Sequence, residues 1–450
     1  MRRITLLLLA LAAASGGAAE PSTDYARTGN LEFVLRTHRV LAAEKKEDNL
    51  FWSPSSLQAA LAVLGEGSRG VSAAEVAAVL RLPPGQGAAA PFAAVHALNR
   101  ATAKHLAAPI DDEAAYLPER PPRVFSYRQA GHLWVQQGFA VKPAFIDGLK
   151  VSYGPQVLLS ADFLANAEGE RLKANAMMAK ETEGLVPQAL SPGFFDHRTK
   201  VAFADVVYMR ADWEKPFNPS HTRSGAFATE GEGRVETDMM NDHRDVRYAA
   251  FEADGRPFAT PEMVPQDNDD NDPRHYPSPG GYQVVRLGYF GGRASMLVVL
   301  PVGDVPLAAF EEALTVPKID ALLRTGGEFE CRILLPKFKV DADWQLVPVL
   351  QKLGLVSVFD PGLADLTGVA SPPPPLYVAR FLQKGRLEVN ERGTIAAVVT
   401  AFGIGVGAGF PDLTKPRPFK PRFFAQRPFL YLVVDDQTGQ VLFMGRVLRP

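Results

Sequence analysis

Residues 387–410 read LEVNERGTIAAVVTAFGIGVGAGF, and this is the most informative stretch of the chain. Residues 393–410 contain no charged residue and no proline. Their Thr, Ile, Val and Phe side chains favour extended structure, so the composition suits a strand that is buried on both faces. Glycines nevertheless occupy alternate positions near the end, at Gly403, Gly405, Gly407 and Gly409. Because glycine weakens a strand, the segment combines the features of an exposed loop with the side-chain pattern of a central strand.

The two faces of this segment differ, because successive side chains of a strand point to opposite sides. One face would carry side chains along its whole length: Thr394, Ala396, Val398, Thr400, Phe402, Ile404 and Val406. The other face would carry Ile395, Ala397, Val399 and Ala401, and after them only glycines. A glycine-rich linker is the alternative interpretation, because short runs of Gly and apolar residues are common.

The chain ends on the pattern of a β-hairpin. Residues 423–450 read FFAQRPFLYLVVDDQTGQVLFMGRVLRP, with strand patterns at 429–434 and 440–447 around a turn at 435–439. Two apolar runs separated by a short turn that contains glycine are typical of a hairpin. A strand-like segment that a hairpin follows is less typical of a linker.

The hinge at residues 391–394, the Ala/Val/Thr run after it and the final hairpin together resemble the serpins. The resemblance extends over nearly the whole chain beyond the N-terminus. Further motifs follow in the family's order: NLFWSP at 49–54, WVQ at 134–136, DF at 162–163, WEKPF at 213–217, MM at 239–240, LPKFK at 335–339 and ADLTG at 364–368. Each motif alone is weak, but their common order and spacing are specific.

The resemblance implies an α+β fold, the serpin fold, with mixed β-sheets and about eight or nine helices. It implies one domain over residues 20–450, with an exposed reactive-centre loop at about residues 391–421. In this family, the loop between hinge and hairpin is the bait that a protease cleaves.

The function implied by the resemblance is suicide inhibition of serine proteases, or of cysteine proteases, by a secreted protein. The protease attacks the loop, an acyl-enzyme forms, and the freed loop inserts into the main sheet before deacylation. The alternative is a non-inhibitory relative that acts as a binding, chaperone or storage protein. Small uncharged residues in the hinge favour inhibition, whereas Ile395, Val398 and Val399, which differ from the usual residues, would slow insertion.

Family spacing assigns roles to individual loop residues. The hinge consists of Glu391, Arg392, Gly393, Thr394, Ala396 and Ala397. Gly393 would let the chain turn into the sheet because glycine adopts positive φ, and Thr394 would insert first. The same spacing places the scissile bond between Gly407 and Ala408, with Val406 before it. These small residues suit an elastase-like or subtilisin-like protease, and the nearest basic residues each precede a proline, which argues against a trypsin-like target.

The chain departs from the family at the place where the main sheet opens. Asp205 stands at a usual Asn and Gln383 at a usual His, facing Ser53 and Ser56. Asp205 could accept a hydrogen bond from the amide of Gln383, or each residue could be an ordinary buried polar residue. The resemblance places Trp213 in a region of the main sheet that is called the breach.

Composition excludes several other classes of protein. The 450 residues are 46% hydrophobic and 22% charged, which predicts a large core. The net charge is only -2, which predicts no nucleic-acid partner. Cys331 is the only cysteine, which predicts a buried thiol and no internal disulfide. The common hydrolase signatures, phosphate loops and dinucleotide fingerprints are absent, so we expect neither an enzyme nor a cofactor or metal site.

The N-terminus has the pattern of a secretory signal peptide over residues 1–19. Arg2 and Arg3 precede an apolar run at 4–14, and small residues follow at 17–19. The run is too short to span a membrane, so we expect export to the extracellular space or the periplasm. We also expect the protein to be a monomer. A short, Arg-led leader rich in Ala and Leu is typical of bacterial proteins.

Two polar, proline-containing segments separate the motifs. Residues 252–281 include DNDDNDPRHYPSPGG and are predicted to be a disordered insertion. Residues 412–421, DLTKPRPFKP, make the link from bait to final hairpin longer than is usual in the family.

Overall fold

The computed structural model describes residues 28–82, 90–110, 123–153, 157–184, 186–231, 233–265, 269–324, 326–371, 376–394 and 416–450. The helices in these ranges are α1 (Asn30–Glu44), α2 (Pro54–Gly67), α3 (Gly70–Val79), α4 (Ala90–Leu106), α5 (Pro143–Tyr153), α6 (Phe163–Glu181), α7 (Leu307–Ala313), α8 (Val316–Arg324) and α9 (Leu346–Lys352). No helix of these ranges is both long and apolar enough to cross a membrane.

The strands are β1 (Leu50–Trp52), β2 (Phe125–Gln136), β3 (Leu158–Ala161), β4 (Val201–Asp212), β5 (Arg223–Ala228), β6 (Arg234–Phe251), β7 (Met263–Val264), β8 (Tyr282–Gly288), β9 (Ala294–Pro301), β10 (Gly327–Pro336), β11 (Phe338–Gln345), β12 (Leu382–Val389), β13 (Gly393–Thr394), β14 (Arg417–Pro418), β15 (Arg422–Phe424), β16 (Phe429–Asp435) and β17 (Val441–Val447).

Most of these strands belong to two large sheets. The nine-stranded sheet has the order β1-β17-β16-β9-β8-β6-β10-β15, with β5 paired to β6. The six-stranded sheet has the order β11-β12-β13-β4-β2-β3, and β14 pairs with β7 in a separate small sheet. Both large sheets are mixed, since β10 pairs in parallel with β15 and β2 pairs in parallel with β3. The predicted α+β class, with mixed sheets and about nine helices, is confirmed.

The C-terminal hairpin predicted from the sequence is β16 and β17, and every residue of both strands is buried. Burial on both faces explains why their sequences are almost continuously apolar. β16 also pairs with β9, so the hairpin lies within the nine-stranded sheet. The rings of Phe429 and Tyr431 contact Phe338 of β11 and thereby join the two sheets.

The six-stranded sheet is covered on both faces. On β4, Met209 and Ala211 belong to the main core together with Leu61 of α2. The neighbouring Val206 belongs to a second core with Met178 of α6. Because odd and even residues of a strand point to opposite sides, α2 and α6 lie on opposite faces of this sheet.

The segment 252–281, which the sequence predicts to be disordered, contains regular structure in its described residues. It includes β7 and a 3₁₀ turn at Pro273–His275. β7 pairs with β14, which lies in the long link before the final hairpin. The physical reason for the difference is this tertiary pairing, which local polar composition does not reveal.

Cys331 on β10 is buried and free, and burial raises the pKa of its thiol. A thiol with a raised pKa is a poor nucleophile at neutral pH. The predicted buried thiol is therefore confirmed.

Candidate functional site

The hinge predicted from the sequence lies inside the six-stranded sheet. β13 is antiparallel to both neighbours, with Thr394 opposite Val389 of β12 and opposite Ala211 of β4. Thr394 is only 1% exposed. The first residues of the loop thus already occupy a central-strand position, and we call this end of the sheet its upper end.

A tight turn connects β12 to β13. The side-chain oxygen of Asn390 accepts the N–H groups of Arg392 at 3.0 Å and Gly393 at 3.3 Å. The indole Nε1 of Trp213 donates to the carbonyl of Asn390 at 2.9 Å, and the backbone N–H of Trp213 donates to the carbonyl of Arg392 at 2.7 Å. Trp213 therefore holds the turn through both its side chain and its backbone.

The charged hinge residues have fixed partners beside the sheet. The Arg392 guanidinium binds both carboxylate oxygens of Asp212, at 2.8 and 3.0 Å, and Asp212 is only 2% exposed. The Glu391 carboxylate accepts the hydroxyl of Thr222 at 2.8 Å and lies 3.5 Å from the ammonium of Lys337. Because the guanidinium contacts the carboxylate at two points, this ion pair orients the hinge and also neutralises the charge of Arg392.

The hydroxyl of Thr394 has a buried partner. It shares a hydrogen bond of 2.7 Å with the hydroxyl of Tyr289, whose ring stacks on Trp213 at a centroid distance of 4.7 Å. Burial raises the pKa of Tyr289, so this phenol stays neutral and can donate. A buried hydroxyl without a partner would be destabilising, so Tyr289 makes a polar residue acceptable at position 394.

Gly393 is needed because its backbone approaches β4 closely. A Cβ at this position would lie 2.6 Å from the Cα of Asp212 and closer still to the carbonyl oxygen of Ala211. The φ of Gly393 is not positive. The prediction that Gly393 supplies a positive φ is therefore wrong, and the missing side chain is the physical reason for glycine here.

The two strands that flank β13 separate below it. Within the described residues, β4 and β12 are connected through β13 and have no hydrogen-bonded ladder of their own. A cavity of about 620 Å³ lies there, lined by residues 201–204 of β4, residues 382–384 of β12 and the α2 side chains Leu57, Ala60 and Val63. We call this space between β4 and β12 the slot.

Gln383 connects β12 to the start of α2 beside the slot. Its side-chain oxygen accepts the N–H of Ser53 at 2.9 Å, and its side-chain nitrogen donates to the carbonyl of Ser53 at 3.0 Å. The Ser53 hydroxyl caps α2 by accepting the N–H of Ser56 at 3.2 Å. Asp205 lies on β4 opposite Gly131, and its side chain is outside the described part, so its exchange with Gln383 stays a prediction.

A family model described as serpin (serine protease inhibitor) matches residues 28–450. This chain belongs to the serpin family. That assignment places it among protease inhibitors and their relatives and not among enzymes.

Curated relatives match this serpin over almost its full length. Neuroserpin of Rattus norvegicus is 27% identical, with 99% of this chain and 95% of that protein covered. Leukocyte elastase inhibitor of Xenopus tropicalis is 26% identical, with coverage of 93% and 97%. A putative serpin-Z6C of Oryza sativa is 29% identical, with coverage of 89% and 91%. These relatives are eukaryotic, so a bacterial source for this chain stays a prediction.

Solved structures share the fold. Native protease nexin-1 with heparin has a TM-score of 0.71 at 21% identity, covering 95% of this chain and 100% of that one. Uncleaved ovalbumin has a TM-score of 0.70 at 20% identity, covering 94% and 99%. Thyroxine-binding globulin in complex with thyroxine gives the same TM-score of 0.70 at 20% identity, with 94% and 99% covered. At such identities the likeness shows the serpin fold alone.

The structure brings part of the predicted site of this serpin together. The hinge residues 391–394 lie against Trp213, and Ser53, Ser56 and Gln383 lie together at the slot. Five other predicted residues lie outside the described residues, so their roles stay predictions: Ala396, Ala397, Val406, Gly407 and Ala408.

Sequence reasoning missed three residues that hold the hinge, namely Tyr289, Asp212 and Asn390. Tyr289 lies 105 positions from Thr394, and Asp212 lies 180 positions from Arg392, so no local pattern connects them. Asn390 had a detectable signal, because an Asn shortly before a glycine is typical of a turn.

Substitution of Gly393 by Ala should displace β13 from β4, because the added methyl group would overlap backbone atoms that cannot move aside. We expect the free energy of unfolding to fall by about 2 kcal/mol or more, and the amide of Thr394 to exchange faster with solvent. Gly225→Ala on β5 is the matched control, since a Cβ there would meet only the flexible Met239 side chain, at 3.1 Å. Equal melting temperatures for the two variants would contradict the close approach at Gly393.

Proposed function

We propose that this serpin is a suicide inhibitor of serine proteases whose cleaved loop inserts into the slot between β4 and β12. The observation that carries the proposal is the position of β13, which already pairs with both strands. Insertion would then extend an existing strand and would not have to start a new one.

The register of β13 defines where later loop residues would go. Continuing the antiparallel pairing from Thr394 and Ala211 sets Ala396 opposite Met209 and Val398 opposite Val207. Those β4 residues belong to the main core. The loop face that carries a side chain at every position would therefore be buried beside α2.

The opposite face of the loop would lie toward α6. In the same register Val399 comes opposite Val206, and Gly403 comes opposite Ala202. Val206 is part of the core under α6, and Ala202 packs against it. The glycines at alternate positions would thus leave room beneath α6, which accounts for the difference between the two faces. Val398 and Val399 suit this role, because β-branched residues fit strands.

The proposed chemistry is acyl transfer that stops at the acyl-enzyme ester. The protease serine attacks the carbonyl carbon of Gly407, and the amine of Ala408 leaves. An ester then joins the protease to the end of the loop. Insertion would carry the attached protease along the sheet and distort its catalytic geometry, without which the ester cannot hydrolyse.

Small residues around the proposed scissile bond suit proteases with small specificity pockets, such as elastase-like or subtilisin-like enzymes. The relative named as a leukocyte elastase inhibitor supports this class. Titration of elastase, subtilisin, chymotrypsin and trypsin with the purified protein tests it. We expect irreversible loss of elastase or subtilisin activity near equimolar ratio, whereas trypsin should stay active. Retention of full activity by all of the small-pocket enzymes would contradict the proposal.

A non-inhibitory binding role is the second candidate, and chaperone or storage roles belong to the same class. The cavity of about 620 Å³ in the slot favours a binding role, because its volume is typical of small-molecule sites. The solved relative with bound thyroxine shows that a protein of this fold can carry a ligand. The stability of the protein after cleavage separates this role from inhibition.

Export is part of the proposal. If residues 1–19 are a signal peptide, the secreted protein should begin near Glu20. Intact-mass measurement of material from the medium or periplasm checks this prediction. A mass that still includes Met1 would show that the leader is not removed.

A further inference from the structure

The insertion at residues 252–281 binds the C-terminal end of the reactive loop. β7 in the insertion pairs antiparallel with β14, where Arg417 lies opposite Val264. The N–H of Phe419 donates to the carbonyl of Glu262 at 2.9 Å and continues this pairing. The backbone contact thus begins two residues after the last undescribed residue of the loop.

Side chains strengthen this contact. The guanidinium of Arg417 binds the carboxylate of Asp270 at 2.8 Å. Phe419 is only 2% exposed, and its ring lies edge-on to the rings of His275 and Tyr276 at centroid distances of 5.0 and 5.9 Å. An ion pair and a buried aromatic residue together indicate a stable contact and not a passing one.

Tyr276 links the two segments at a further point. Its hydroxyl accepts the N–H of Arg422 at 3.0 Å and donates to the carbonyl of Asp270 at 2.7 Å. The same residue therefore braces the insertion internally and holds the start of β15. Residues 417–422 are consequently held along their length by one segment.

The strand that follows the anchored residues, β15, leads toward the hinge. β15 pairs in parallel with β10, where Phe424 is opposite Leu334. Three residues beyond Leu334, Lys337 lies 3.5 Å from Glu391 of the hinge. The chain that follows the clamped residues therefore runs back toward the upper end of the six-stranded sheet.

We propose that residues 262–264 and 270–276 act as a clamp on residues 417–422, which opposes insertion of the uncleaved loop. This inference rests on the proposed function. An intact loop has the same apolar face as a cleaved one, so its insertion would also be favourable. The clamp would delay that event until the protease cuts the chain.

Chain length gives the physical reason. From Thr394 down to Val406 the inserted strand would extend about 40 Å, at about 3.3 Å per residue. An intact loop must return over at least the same distance before it reaches Arg417. Residues 407–416 would span only about 36 Å at the same rise, so the uncleaved loop is too short to insert fully while the clamp holds. Release of residues 417–421 would add about 17 Å and remove the restraint.

The unusual link and the insertion therefore compensate for each other. The link at residues 412–421 is longer than the family's usual one and would give an uncleaved loop spare length. The clamp removes that spare length by binding the second half of the link. Cleavage between Gly407 and Ala408 separates the two ends, so the clamp would not hinder insertion after attack.

The double variant Asp270→Asn, Tyr276→Phe tests the clamp without altering the loop. Asp254→Asn is the matched control, because Asp254 pairs with exposed Arg256 inside the insertion. The uncleaved proteins are incubated at 37 °C without protease, and conversion to a more heat-stable form is followed, with intact mass to show that no cut occurs. We expect the double variant to convert about tenfold faster than wild type and the control to match wild type.

Hydrogen exchange of a peptide covering residues 416–424 is the second readout, because it needs no inhibitory activity. The double variant should exchange faster there than the control. Equal exchange and equal conversion in the two variants would overturn the clamp. Faster exchange together with no covalent complex from any variant would instead leave the clamp standing and contradict suicide inhibition.

Discussion

Cleavage of the loop between Gly403 and Phe410 is expected to make this serpin more stable. Ordinary nicking of a loop leaves stability unchanged or lowers it. Here the cut frees residues 395–406 to continue β13 between β4 and β12. The apolar face that begins at Thr394 contributes to stability only once it lies in a sheet.

The expected increase in the free energy of unfolding after cleavage is large. The inserted strand would gain hydrogen bonds on both sides, and each contributes about 0.5–1.5 kcal/mol net. A gain on the order of 10 kcal/mol follows from about ten such bonds, and burial of the apolar face adds to it. Differential scanning calorimetry of intact and cleaved protein checks this, with a rise of more than about 10 °C expected. A cleaved protein that melts at or below the temperature of the intact one would favour the non-inhibitory role.

If the proposed inhibition is right, Thr394→Arg is expected to convert this serpin into a protease substrate. Thr394 is 1% exposed and faces Tyr289 in the main core. A guanidinium there would have no charged partner, because the nearby Asp212 already pairs with Arg392. Burial of an unpaired charge costs several kcal/mol, so β13 should leave the sheet and insertion should stop at its first residue.

The variant should be cut by the target protease and should release active enzyme, since deacylation would be faster than insertion. Thr394→Ser is the matched control, because it keeps the hydroxyl that Tyr289 binds. We expect the control to form complex like wild type and the Arg variant to lose at least about nine-tenths of its complex yield. Equal trapping by all three proteins would mean that Thr394 does not need to enter the sheet.

The sequence predicted those parts of the molecule that local patterns determine. The β16–β17 hairpin follows from two apolar runs around a turn, and the hinge follows from a short motif. The partners of the hinge could not be predicted, because Tyr289 lies 105 positions from Thr394 and Asp212 lies 180 positions from Arg392 in the sequence. A positive φ was predicted for Gly393, whereas the structure shows that the close approach of β4 requires glycine there.

The prediction that residues 252–281 are disordered was wrong for a related reason. Its charges and prolines are typical of disorder, yet Asp270, His275 and Tyr276 have partners in residues 417–422. Contacts between the two segments accompany the regular structure that their composition does not predict. A single sequence contains no sign of such a pairing, because its partners are more than a hundred residues apart.

Denaturing gel electrophoresis of wild-type protein after incubation with elastase or subtilisin tests the central claim most directly. We expect a covalent complex that survives denaturant, with a mass equal to protease plus serpin minus the fragment from Ala408 to Pro450. Mass spectrometry should locate the new ester at Gly407. Complete cleavage of the loop by these proteases, with no complex and with full protease activity remaining, would contradict the account.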